Sequence, residues 1–294
     1  MKYLSVNEYV RERFGEKLYR IALDGGMTCP NRDGTISTGG CTFCLGGSGS
    51  FAERGCEDIS SQIERAKQRV SHKTDAKRFI AYFQSYTNTY APTEYLERLF
   101  TQVVEREDVA VLDVATRPDC LGEEVIELLE RLNRIKPVWV ELGLQTMHER
   151  TAKAINRGYA LDCFESAMAR LSAAGLETIV HVILYLPGES REDMEQTVRY
   201  VAASGAQGIK LQLLHILEGT PMAQQYRRGE IILPEREEYC ELIADLLAML
   251  PPDMVVHRIT GDGDKRYLLA PLWSADKKKV LNELKRRIEQ KQRK

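Results

Sequence analysis

The chain has 294 residues, 43% hydrophobic and 29% charged, a length and balance that suit a globular protein with a full buried core. No apolar stretch approaches the roughly 18 residues that span a bilayer, and Met1 to Arg20 mixes charges with aromatics and has no apolar signal segment, so a cytoplasmic address without a membrane partner is expected. The net charge of −2 hides an asymmetry: Lys277–Lys294 holds nine Lys or Arg against Glu283 and Glu289, a local +7 that leaves −9 for the remainder. Such a tail fits either a polyanionic partner or a solvated helix that keeps the protein soluble.

Short runs rich in Val, Ile, Leu and aromatics predict buried strands at Tyr19–Leu23, Phe79–Phe83, Ala110–Ala115, Val138–Leu142, Thr178–Leu184 and Ile209–Leu214, with a late one at Val255–Ile259. Helical spacing fills the gaps. Val125, Leu128, Leu129, Leu132 and Ile135 form one stripe, closed by Pro137. Leu161, Phe164, Met168 and Leu171 form a second, with Gly175 placed as its cap. Ser190 and Asp193 have the spacing of a capping box ahead of Met194, Val198 and Val201, and Tyr239–Leu250 ends at Pro251-Pro252. Strand and helix alternating about six times predict a parallel α/β sheet. A partial (β/α)6 barrel and a doubly wound sheet both satisfy that pattern.

The irregular segment is the glycine-rich loop Cys29–Ser50, directly after the first strand, where α/β folds place their chemistry. It reads Cys29-Pro-Asn-Arg-Asp-Gly-Thr-Ile-Ser-Thr-Gly-Gly-Cys41-Thr-Phe-Cys44, a C-x11-C-x2-C pattern. Seven cysteines is an odd count for a disulfide framework; Cys56, Cys120, Cys163 and Cys240 are scattered. Thiolates select soft metals or iron–sulfur clusters. Zinc would want a fourth ligand, for which Cys56 is in range. Three thiolates suit a [4Fe–4S] cluster with one iron left open for the amino and carboxylate groups of a small molecule, with Phe43 as a shield beside it.

With further stretches, the loop carries a resemblance. YFQSYTNTY at Tyr82–Tyr90, ATRPDC at Ala115–Cys120, ELGLQT at Glu141–Thr146, LPGES at Leu186–Ser190, LLHILEGT at Leu213–Thr220, RITGD at Arg258–Asp262 and APLWS at Ala270–Ser274 follow it in order. The sequence resembles radical SAM enzymes of the YhcC/YtqA-like family, related to the elongator-type radical SAM domain. The resemblance implies a partial (β/α)6 radical SAM barrel over residues 1–250 and a C-terminal helical extension over 251–294. It implies a [4Fe–4S] cluster on Cys29, Cys41 and Cys44 and S-adenosylmethionine as cofactors, cleaved reductively to a 5′-deoxyadenosyl radical, with a reductase or flavodoxin-type electron donor. Where relatives carry Gly-Gly-Glu for the methionyl amine, this chain has Gln84-Ser85-Tyr86-Thr87-Asn88, so Gln84, Ser85 and Asn88 are expected there. Glu141 and Gln145 are expected on the ribose, Arg157 on the cofactor carboxylate, and His181 near the adenine or as a core residue.

Arg117, held extended by Pro118, is expected to grip a carboxylate or phosphate. Lys210, Gln212 and His215 are expected to alternate inward onto substrate, and Cys120 reads as a hydrogen-atom donor or a buried thiol. One cluster is expected, since no second three-cysteine motif is present. The elongator-type likeness implies a tRNA substrate, the step being carboxymethylaminomethyl to aminomethyl on wobble 2-thiouridine. Lys277–Lys294 fits a phosphate-binding arm that Arg258, Lys265 and Arg266 extend, and Tyr82, Tyr86 or Tyr90 either stacks a base or packs. A small metabolite or peptide substrate, and a zinc-stabilised tRNA-binding module, are the competing readings.

Overall fold

The computed structural model describes residues 3–46, 52, 58–261 and 263–292; Cys56, Asp262 and the last two residues of the basic tail lie outside them. Leu4–Ser5 forms β1, and Ser5 opens α1 (Val6–Phe14) with a capping box: its hydroxyl accepts from Glu8 N while the Glu8 carboxylate accepts from Ser5 N. Next come β2 (Tyr19–Leu23), α2 (Ile59–Val70), β3 (Phe79–Phe83), α3 (Thr93–Val104), β4 (Val109–Thr116), α4 (Glu123–Asn133) and β5 (Val138–Gln145). The short α5 (Glu149–Ala154) precedes α6 (Leu161–Ala173), β6 (Glu177–Leu184), α7 (Arg191–Ala203) and β7 (Gly208–Leu213). The chain ends with β8 (Ile216–Leu217), α8 (Pro221–Arg227), α9 (Arg236–Met249), β9 (Val255–Arg258), β10 (Leu268–Ala270) and α10 (Lys277–Gln292).

Eight parallel strands form one sheet in the order β1-β9-β7-β6-β5-β4-β3-β2, and β8 and β10 pair antiparallel beside it. From β2 to β7 each strand lies next to the one before it in the chain, so the winding never reverses. A doubly wound sheet requires a reversal; this sheet instead curls into a half-barrel with helices outside, the expected α/β partial barrel. β9 extends it past β7, between β7 and β1.

Every residue of β3 and β4 is buried, because one face meets the helices and the other faces the barrel. The outer face packs Phe83, Leu112, Val140 and Val182 against Phe100, Leu129 and Leu171 of the surrounding helices. Inside, Ile80, Val111, Trp139 and Ile179 form an apolar plug, which α1 closes from below with Val10. The amino end of the barrel is therefore sealed, and the carboxyl ends of the strands are left for chemistry.

Candidate active site at the carboxyl ends of the strands

Above the plug, the next inward positions along the strands are polar. Arg20, Tyr82, Asp113, Glu141, His181 and Lys210 come from β2 to β7 and form one layer. Lys210 Nζ pairs with Glu141 Oε2 and lies 3.2 Å from the Tyr82 hydroxyl, while His181 Nε2 meets the same carboxylate oxygen at 2.7 Å. Arg20 Nη2 is 2.8 Å from Asp113 Oδ2 and 3.4 Å from Glu141 Oε1. Neither contact is an aligned hydrogen bond, and both Asp113 oxygens and Glu141 Oε1 are buried acceptors with no hydrogen-bond partner among the described residues.

Burial governs how this layer titrates. It pushes the Asp113 carboxyl up to about 8, helped by the Glu141 charge and opposed by Arg20. It pushes the Lys210 ammonium down to about 7 against the pull of Glu141. Burial also acts upward on Glu141, but Lys210, Arg20 and His181 outweigh it and hold this carboxylate well below its usual range.

The cysteine loop arches over this layer. Backbone turns shape it: Arg32 N and Asp33 N donate to Cys29 O, and Cys44 N donates to Cys41 O. The loop is also tied to distant chain. Thr42 N donates to Ile155 O at 2.9 Å, and Met222 N of α8 donates to Thr42 O at 3.1 Å. Arg32 Nη2 donates to Cys44 O. Beneath lies a pocket of about 190 Å³ whose lining includes Cys29, Cys41 and Cys44, with Phe43, Gln84, Gln145 and Arg117 as walls and Tyr82, Glu141 and His181 as floor.

The three thiols thus share one cavity, although among the described residues no three His, Cys, Asp or Glu converge tightly enough for a single metal ion. Burial, with the neighbouring thiols, pushes Cys41 up to about 11. Such a thiol ionises readily only on a strong positive charge such as iron. Three thiols around one cavity, with the Arg117 guanidinium lowering the cost of a Cys41 thiolate, match the thiolate set of an iron–sulfur cluster.

The expected residues fare differently. Phe43, Gln84, Arg117, Glu141, Gln145, Arg157 and His181 line the pocket. Gln145 holds a left-handed φ of 68°, and its Oε1 is buried without a partner among the described residues. Glu141 is lower than expected, in the ionic floor, because it sits four residues before the end of β5. Arg157 has a structural job: its guanidinium donates to Leu144 O, Thr146 O and Tyr159 O and pairs with Glu149. Arg117 forks onto the Asp119 carboxylate at 2.9 and 2.7 Å and donates to Arg157 O, so it does not reach out for a ligand.

Ser85 and Asn88 turn into the protein, away from the pocket lining, and the Asn88 amide staples Phe83 O to Ala115 O. Lys210 is 1% exposed and engaged by Glu141 and Tyr82, so it lies under the floor and not against substrate. Gln212 Nε2 contacts His181 Nδ1 at 3.3 Å. His215 corrects the inward alternation. β7 ends at Leu213, the period of two ends with it, and the imidazole packs toward Gly261 and Gly263.

Cys120 borders a separate outer groove with Pro30, Ile36 and Tyr90, and burial pushes its thiol up to about 12. Arg20, Asp113, Asn31, Asn156 and Tyr159 also shape the site, although no motif or spacing in the sequence marks them. The signal available for Arg20 and Asp113 was a charged residue inside each of two otherwise apolar strands.

Among the described residues no helix is long and apolar enough to cross a membrane. Residues 32–201 match the profile of the Radical SAM superfamily, and residues 206–290 that of the Radical_SAM C-terminal domain. The chain is 44% identical to the YtqA protein of Bacillus subtilis over 289 residues, covering 98% of this chain and 90% of that protein. It is 38% identical to YhcC of Escherichia coli over 279 residues, 93% and 88% of the two chains. The solved structure of Elp3 from Methanocaldococcus infernus, lacking its N-terminus, superposes with a TM-score of 0.66 at 19% identity, over 86% of this chain and 58% of that one. With this match over most of its length, the chain belongs to the radical SAM superfamily, whose members use a [4Fe–4S] cluster and S-adenosylmethionine.

Proposed function

We propose that Cys29, Cys41 and Cys44 hold the [4Fe–4S] cluster, that S-adenosylmethionine occupies the pocket below it, and that the enzyme acts in the cytoplasm on the C5 side chain of a tRNA wobble uridine. The step would convert carboxymethylaminomethyl to aminomethyl on 2-thiouridine. The observation that carries the chemistry is the opening of three thiols onto one cavity at the carboxyl ends of parallel strands. Once both cofactors are bound, reductive cleavage of the sulfonium supplies a 5′-deoxyadenosyl radical that takes a hydrogen atom from an unreactive C–H bond.

The chain's own residues position and enclose. Gln145, with its buried orphan Oε1, offers an acceptor to a ribose hydroxyl, and Gln84 offers a second polar edge. Tyr82, Glu141 and His181 keep water from entering from below. Lys210 Nζ pairs with Glu141 Oε2 under that floor, where burial lowers the ammonium's pKa to about 7. An external reductase or flavodoxin-type protein supplies the electron.

The tRNA assignment draws on the elongator-type resemblance and on the basic α10. A small metabolite or peptide substrate is favoured by a different observation: Arg287 and Lys291 of α10 are already paired with Glu241 and Asp245 of α9. The deciding experiment incubates anaerobically reconstituted, reduced protein with S-adenosylmethionine and tRNA lacking mature wobble modification. It quantifies 5′-deoxyadenosine and analyses the tRNA nucleosides by mass spectrometry. Cleavage that rises with tRNA, a mass change at the wobble uridine, and neither in Cys29→Ala, is expected. Cleavage indifferent to tRNA favours the small substrate, and a colourless protein with one zinc per chain overturns the radical assignment.

A further inference from the structure

We propose that Asn31 is a positioning residue whose side-chain amide hydrogen-bonds the Cys41 sulfur and raises the reduction potential of the cluster. The inference rests on the reading that Cys29, Cys41 and Cys44 hold that cluster. Asn31 is fully buried, and its Nδ2 lies 3.7 Å from Cys41 Sγ while donating to Asn156 O at 2.6 Å. The second contact orients the first. Turning the amide over would set Oδ1 against the Asn156 carbonyl, two acceptors at hydrogen-bond distance, so the N–H edge is the one that faces sulfur.

The surroundings hold the amide in place. Asn156, itself at a left-handed φ of 53°, donates from Nδ2 to Gly40 O at 2.8 Å and to Ser37 Oγ at 3.1 Å. Gly40 N donates to Asn31 O at 2.6 Å. Both legs of the cysteine loop are therefore bound to the α5–α6 turn through one pair of asparagines. Gly158, at φ 83°, leaves the space: a Cβ there would stand 2.7 Å from Asn31 Oδ1.

Physically, a reduced cluster carries an extra electron spread partly over its sulfurs. An N–H dipole aimed at one of them stabilises the reduced form more than the oxidised form. Loss of that donor lowers the potential.

The test uses the reconstituted holoprotein and two measurements. The first is a potentiometric titration, followed by electron paramagnetic resonance, of wild type and Asn31→Leu, which keeps the volume and removes the donor, with iron counted per chain. At wild-type iron content a more negative midpoint in Asn31→Leu is expected, and an unchanged midpoint overturns the proposal. Should Asn31→Leu lose iron, pulsed resonance on wild-type protein labelled with 15N in its asparagine side chains decides. A 15N coupling to the reduced cluster supports the contact and its absence overturns it. Failure of the wild type itself to take up a cluster sinks the cluster assignment along with this inference, whereas a wild-type cluster indifferent to Asn31 sinks this inference alone.

Discussion

The ion pairs inside the barrel and those along α10 use the same residue types and differ in what surrounds them. Within the barrel, Glu141 and Lys210 are sealed between the apolar plug and the pocket. On α10, Val280 and Leu284 dock the helix against the core, while Arg287 and Lys291 reach across to Glu241 and Asp245 at a solvated edge. Desolvation makes the first set indispensable to each of its members and leaves the second exchangeable with water and salt. Charge content therefore says little about what an ion pair does here, and depth decides.

The largest effect is expected from Lys210→Met. Leaving Glu141 buried without its ammonium should cost about 3–5 kcal/mol of unfolding free energy, read as a lower denaturation midpoint with an unchanged slope. Lys210→Met combined with Glu141→Gln removes both charges and should recover part of that loss. A single variant as stable as wild type would mean that Arg20 and His181 suffice for Glu141, and the contrast with α10 would disappear.

A second, smaller effect concerns pH. The folded chain retains the Asp113 proton up to about 8, whereas an unfolded chain releases it near 3.8, the ordinary value for an aspartate. Between those limits the folded state binds more protons, so this group's stabilisation is complete below the lower limit and is lost as pH rises through the upper one. Lys210 acts in the opposite sense in a higher window: the unfolded chain keeps its proton to 10.5, the folded chain releases it near 7, and stability gains across that interval. Denaturation midpoints at pH 5 and pH 7 should therefore fall with pH in wild type and fall less in Asp113→Asn. Equal slopes in the two proteins would assign the fall to other groups.

Depth also explains what the sequence could disclose. β3 is legible to the residue because a strand buried on both faces is an unbroken apolar run, β2 because Arg20 alone interrupts its apolar run, and the Ser190–Asp193 capping box is local chemistry that survives folding unchanged. The three cysteines are legible from spacing and glycine content. Arg117 and Arg157 are legible as arginines at the mouth, but their partners assign their work, and most of those are backbone carbonyls set by the fold. Asn31 and Asn156 are 125 positions apart and obey no periodicity. His215 shows the limit of extrapolating a strand's alternation past the point where its hydrogen bonding stops.

The smallest effect on stability, and the one that bears most on substrate, concerns α10. Glu241→Gln with Asp245→Asn removes the acids that hold Arg287 and Lys291. Pairs at such an edge are each worth about 1 kcal/mol or less, so the stability change should be small and should vanish at high salt. For a protein that docks tRNA through this helix, the freed cations gain phosphate partners. Affinity should rise, and the logarithmic salt slope should steepen by about 0.9 for each new contact. A small-substrate enzyme would show the same modest stability change with no change in turnover or in RNA affinity. Measuring both quantities on one variant separates a helix whose charges serve the fold from one whose charges serve a polyanion, because the first loses stability without gaining RNA and the second trades one partner for the other.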